Sequence, residues 1–179
     1  MNLLFKLSEN KALYRLLLVL LVTDIILFQF YGLNFNLDLS KNALDLRLGY
    51  TAQDVINYFT LIGEDGRTDY KFAMSVIDVT FPIIYGLILI IVLTNVVKKQ
   101  FNSNPFLLFI FVLIPIAVVI LDLLENRNTL SMMASFPNIT EEMAAKGSLF
   151  TLTKWSLGGL ISLIIGYGIF KTLSNKKGK

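Results

Sequence analysis

Four long, mostly apolar stretches constrain this chain more than anything else in it: Ala12–Tyr31, Val76–Val97, Phe106–Leu124 and Ser148–Phe170. A segment that crosses the hydrocarbon core of a bilayer needs roughly 20 such residues. No water is present there to satisfy backbone groups, so each run is expected to be helical. The reading is therefore a four-transmembrane-helix bundle in one integral membrane domain covering residues 1–179. A content of 55% hydrophobic and 16% charged residues agrees, because a soluble domain of this size rarely carries so much apolar residue. The first run is read as a retained span. It is long for a signal-peptide core, and Gly32-Leu33-Asn34-Phe35 follows it rather than a small-residue cleavage site.

The charges orient the bundle. Lys6, Lys11 and Arg15 precede the first run, Lys98 and Lys99 follow the second, and Lys171, Lys176, Lys177 and Lys179 follow the fourth, with Glu9 the one acid among them. The other face carries most of the acids, among them Asp38, Asp45, Asp54, Glu64, Asp65, Asp69, Glu125, Glu141 and Glu142. The positive-inside rule places both termini in the cytoplasm. A net charge of +3 is thus a matter of topology and does not indicate nucleic-acid binding. The chain has no cysteine and no histidine. Thiolate chemistry, the commonest general base and the commonest transition-metal ligands are absent. No cofactor motif occurs.

The outer loop, residues 32–69, reads as structured. Leu33, Phe35, Leu37 and Leu39 alternate with polar residues, as do Leu44, Leu46 and Leu48, with Ser40–Ala43 as a turn between them. This pattern predicts a β-hairpin. A short helix capped by Thr51 and closed by Gly63 follows, and a long helix beginning near Arg67 runs into the second span. Asn104 and Pro105 start the third span. Residues 127–137 read as a loop, and Asn138 or Thr140 starts the last helix.

Ionisable groups inside spans are costly and demand an explanation. The first run holds Asp24, the second Asp78 with Pro82 and Tyr85 on the same face, and the third ends in Asp122, Glu125 and Asn126 at i, i+3 and i+4. The fourth holds Lys154 with Thr151 one turn before it. All of these fall in the outer half of the membrane once the orientation is set. Lys154, Gly158, Ser162 and Gly166 form a small-residue stripe, which places Lys154 on the packed face of its helix. Asp24, Asp78, Tyr85, Asp122, Glu125, Asn126, Thr151 and Lys154 are therefore the candidate binding residues of an outward-facing polar pocket.

Three readings of this cluster stand side by side. Lys154 pairs with one or two carboxylates and pins the helices together. Alternatively, the excess of carboxylate over ammonium binds a cation, an amine or a lipid headgroup, or holds a proton. Paired carboxylates also do acid–base work, yet no nucleophile motif, zinc-protease pattern or phosphate loop accompanies them. The partners expected are the lipid bilayer, such a small ligand, and a protein or second copy meeting the outer loop. A binding pocket requires solvent or ligand next to Asp78, Asp122 and Lys154; those groups closed into direct pairs with no cavity would rule it out.

The stretches Leu46–Tyr50 (LRLGY), Ile62–Arg67 (IGEDGR) with Tyr70, Asp78-x-x-Phe81-Pro82-x-x-Tyr85-Gly86, Asp122-x-x-Glu125-Asn126, Ala134-Ser135 and Thr151-x-x-Lys154-Trp155 resemble a group of small bacterial four-helix membrane proteins. The resemblance implies a bacterial inner-membrane setting and no particular activity. The order of span, outer loop, short helix and long second span is similar to that of claudin-like tetraspan proteins, without their outer-loop tryptophan motif and cysteine pair.

Overall fold

The computed structural model of the chain describes residues 2–33 and 44–177, and of residues 28, 30–33, 176 and 177 the backbone alone. Six helices are described: α1 (Asn2–Ser8), α2 (Lys11–Leu33), α3 (Ala52–Phe72), α4 (Asp78–Gln100), α5 (Pro105–Ser135) and α6 (Glu141–Lys177). A single 3-10 turn, Leu44–Leu46, precedes α3, and a π-helical turn, Ala73–Ile77, joins α3 to α4.

Local chemistry accounts for most of the boundaries. Asn10 Oδ1 accepts from the amides of Ala12 and Leu13 and starts α2. Thr51 and Asp54 form a reciprocal capping box at the start of α3. Asn104 caps α5, with Pro105 in the first turn, where its missing N–H costs nothing. Thr140 Oγ1 accepts from Met143 N at the start of α6. Gly63, expected to close the short helix, breaks α3 with φ +69°, a conformation that glycine adopts without Cβ strain. Arg67 donates to the Phe59 carbonyl at 2.9 Å beside this break and lies 4.6 Å over the Phe136 ring.

Three helical runs among the described residues are long and apolar enough to cross a membrane: Ala52–Gln100, Pro105–Ser135 and Glu141–Asn175. The expectation of four spans is corrected to three. Lys11–Leu33 is a helix of 23 residues and is not among the three. The expected β-hairpin is also corrected, because the described residues include no strand. The turn and most of the first arm, residues 34–43, lie outside the described residues. In the second arm the alternating leucines are divided differently: Leu44 is buried, whereas Leu46 and Leu48 are exposed. A strand needs a neighbour to take its backbone groups. Here Arg47 N bonds back to Leu44 O, and both backbone groups of Tyr50 bond to the side chain of Ser148 on α6.

The loop expected at residues 127–137 is a further correction, since α5 continues to Ser135. Asn128, Thr129 and Met132 extend its buried face beyond Glu125 and Asn126, so the polar residues mark the edge of the apolar run and not the end of the helix.

α4 packs against α5, α6 and α2, and α5 packs against α6. Gly86 lets α4 approach α5 closely, for a Cβ there would lie 2.4 Å from Val119. Two cores result. One, around Val55, Phe59, Tyr70, Met132 and Ala144, joins α3 and the segment before it, residues 44–51, here the cap, to the adjacent ends of α5 and α6. The other, around Leu93, Val118 and Ile161, lies deeper between α4, α5 and α6. At the far end Asn95 reaches Ser8, Lys98 pairs with Glu9, and Gln100 reaches Gly168 and Thr172, so both terminal segments meet the α4–α5 turn there.

Candidate functional site

Between the two cores lies the polar cluster. Lys154 Nζ donates to Asp122 Oδ1 at 2.7 Å and to Glu125 Oε2 at 2.6 Å. The three side chains are 12%, 9% and 2% exposed, so these are buried pairs and not surface contacts. The second oxygen of each carboxylate is occupied as well. Tyr85 Oη donates to Asp122 Oδ2 at 2.6 Å, and the Thr151 hydroxyl bonds to Glu125 Oε1. Each group sits where helix periodicity puts it: Asp122 and Glu125 one turn apart on α5, Thr151 and Lys154 one turn apart on α6. A buried ion pair offsets its desolvation only when the remaining donors and acceptors are also satisfied, and this arrangement meets that condition.

Asn126 serves a different purpose. Its Nδ2 donates to the backbone carbonyl of Asp78 at 2.6 Å. In a regular helix that carbonyl would accept from the amide of the residue four positions on, which is Pro82 and has none. The proline and the asparagine are thus two halves of one device, and the described residues provide no ion pair to the buried Asp78 carboxylate. Asp24 lies apart from the cluster, where Thr80 Oγ1 donates to it at 3.1 Å on an exposed flank of α2 and α4. Of the eight predicted residues, Tyr85, Asp122, Glu125, Thr151 and Lys154 form one bonded unit, Asp78 and Asn126 flank it, and Asp24 does not join.

The small-residue stripe is corrected. A Cβ added at Gly158 or Gly166 would meet nothing within 4 Å. The packed face of α6 runs instead through Gly147, Thr151, Ile161 and Gly168, all buried. Lys154 lies beside that face for its carboxylate partners and not because of the stripe.

The cap closes over the cluster with residues that the spacing arguments had not assigned to a site. Trp155 Nε1 donates to Asp45 O at 3.0 Å, Tyr50 N bonds to Ser148 Oγ at 2.9 Å, and Ala52 N donates to Glu141 Oε2 at 3.2 Å. The Tyr50 side chain lies directly on Gly147, where a Cβ would fall 2.0 Å from its hydroxyl and 2.8 Å from Asn128 Nδ2. The Tyr50 hydroxyl is buried without a hydrogen-bond partner among the described residues. Burial, and then the Glu125 charge, pushes its ionisation above the usual tyrosine range. The Asp45 carboxyl is likewise held above the usual carboxylate range by burial, against the opposing pull of Lys154. The signals were in the sequence: Tyr50 ends the LRLGY stretch, and Gly147 precedes Thr151 by one turn.

Among the described residues no group of three acidic side chains is arranged to hold a metal ion. No family model, curated protein or solved structure matches the chain.

Proposed function

We propose that this is an integral membrane binding protein whose polar cluster takes up positive charge, as a small cation, an amine or a proton, beneath the cap. One observation carries the reading: Asp78, Asp122 and Glu125 are all buried, and a single ammonium, that of Lys154, is set among them. Two negative charges in excess are costly in a low-dielectric interior and call for protons or a cation. Lys154 occupies the Asp122–Glu125 side, which leaves the Asp78 side for the ligand. Asp78 is buried, so a small cation or alkylamine suits it better than a bulky lipid headgroup. Catalysis is not part of the proposal: the Tyr85 and Thr151 hydroxyls are committed to holding Asp122 and Glu125.

The test is thermal unfolding of the detergent-purified protein against pH and against added sodium, potassium, magnesium and small alkylamines. One cation or amine should raise the midpoint in the wild type and not in Asp78→Asn, and a fall in pH should raise it more in the wild type than in that variant. Unfolding indifferent to all of these would leave only the second reading, in which Lys154 pins the helices and the cap meets a protein partner or another copy. That reading is favoured by the direct pairing of Lys154 with both carboxylates.

We also infer a bacterial inner-membrane setting in which the end of the bundle opposite the cap faces the cytoplasm. The support is the gathering of Lys6, Lys11, Arg15, Lys98, Lys99 and Lys171 toward the end of the bundle opposite the cap.

A further inference from the structure

The end of the bundle opposite the cap contains a cleft of about 550 Å³. α1 and α2 flank α4 on one side and α6 on the other, and the cleft lies over α4 between them. Lys11, Arg15 and Lys99 line it together with Ile91, Ile165 and Ile169. Lys99 and Ile91 are eight positions apart on α4, about 12 Å at the helical rise. Cationic and apolar side chains thus share one cleft little more than two turns long.

The polar groups within it divide into those that are occupied and those that are not. Asn95 is bonded to Ser8 O, Gln100 to Gly168 O and Thr172, and Asn10 caps α2. The Glu9 carboxylate also lines the cleft but is paired with Lys98. Lys11, Arg15 and Lys99 make no ion pair among the described residues, and all three are exposed. Three uncommitted cations and a set of apolar side chains lining one cleft between helices match one class of ligand: a phosphate headgroup with acyl chains attached. Basic pockets between membrane helices hold anionic headgroups in this way, and the volume is in the usual range for a bound small ligand.

We propose that this cleft binds an anionic glycerophospholipid, with the phosphate held by Lys11, Arg15 and Lys99 and the first part of an acyl chain lying along Ile91, Ile165 and Ile169. The site is independent of the cap-end cluster.

The experiment titrates the intact protein in mild detergent with phosphatidylglycerol, phosphatidylcholine or inorganic phosphate, and reads bound species by native mass spectrometry. The wild type should retain phosphatidylglycerol well above phosphatidylcholine, and inorganic phosphate should not displace it. Replacing Lys11, Arg15 and Lys99 with Gln should weaken phosphatidylglycerol binding on the order of a hundredfold. A matched variant with Lys71, Arg127 and Lys146 changed to Gln has the same net charge and should bind as the wild type. Ile91→Trp, checked for helicity by circular dichroism, should block the cleft and lower retention while leaving the cations in place. Equal retention of the two lipids, equal loss in both triple variants, or full competition by inorganic phosphate would each overturn the proposal.

Discussion

The two ends of this bundle handle charge in opposite ways. At the cap end, buried carboxylates and an ammonium are bonded to one another, and each oxygen of Asp122 and Glu125 has a donor from within the chain. At the other end, Lys11, Arg15 and Lys99 are left exposed around a cleft. The first end is a closed system whose stability depends on every member. The second is open, and its charges face whatever the membrane supplies. Mutation should therefore be costly at one end and nearly silent for folding at the other.

The largest expected effect breaks the closed end outright. Lys154→Met leaves two buried carboxylates without their cation and should cost about 3–5 kcal/mol of stability, read by unfolding in mixed micelles. Lys154→Met combined with Asp122→Asn and Glu125→Gln should recover much of that loss, because the charges are then removed together. Next in size is Gly147→Ala, which drives a Cβ into the Tyr50 hydroxyl. It should cost about 1–3 kcal/mol and free the cap to proteolysis, and Tyr50→Phe, which removes the atom in the way, should partly reverse both effects. Asn126→Leu should cost about 1–3 kcal/mol by stranding the Asp78 carbonyl. The same change made beside Pro82→Ala should cost less, since the alanine restores the amide that the carbonyl lacks.

A smaller effect tests the cap by pH. Burial raises the Asp45 carboxyl above its ordinary 3.8 in the folded chain. The folded state then holds the proton more tightly than the unfolded state, so stability falls as pH rises from the ordinary value through the raised one. Asp45→Asn should flatten that slope. The smallest effect belongs to the open end, where Lys99→Gln should change stability by less than about 0.5 kcal/mol while weakening lipid retention.

What was legible in the sequence follows from how local each interaction is. Asp122, Glu125, Thr151 and Lys154 could be assigned to one unit because their faces are fixed by helix periodicity and charge in a membrane demands a partner. Thr51, Asn104 and Pro105 were legible for the same reason, as caps depend on neighbours within a few residues. Leu44, Leu46 and Leu48 were misleading, because alternation records which side chains differ in exposure and not which partner takes the backbone groups. That partner is Ser148, about a hundred positions away, and no local pattern points to it. Asp24 was misplaced for a related reason: depth within a span is set by sequence, but the direction around the helix depends on which neighbour it packs against. Gly158 and Gly166 show the converse, since a stripe suited to close packing is left open while Gly147 and Gly168 make the close approaches.

The π-helical turn at Ala73–Ile77 has a consequence for phase. Gly66, Tyr70, Met74, Asp78, Pro82 and Gly86 recur every fourth residue, and all six are buried. On a regular α-helix each step of four advances the side chain by about 40°, so five steps would carry the row roughly 200° around the axis and out of the core. The wider turn holds back about one residue's rotation, and the row stays inward. The cap and the acidic cluster are in this sense kept in phase by one extra residue. Deleting a single residue from 73–77 should tighten the turn and rotate Tyr70 and Met74 by about 100° relative to Asp78. The two ends of the row could then no longer both face the bundle.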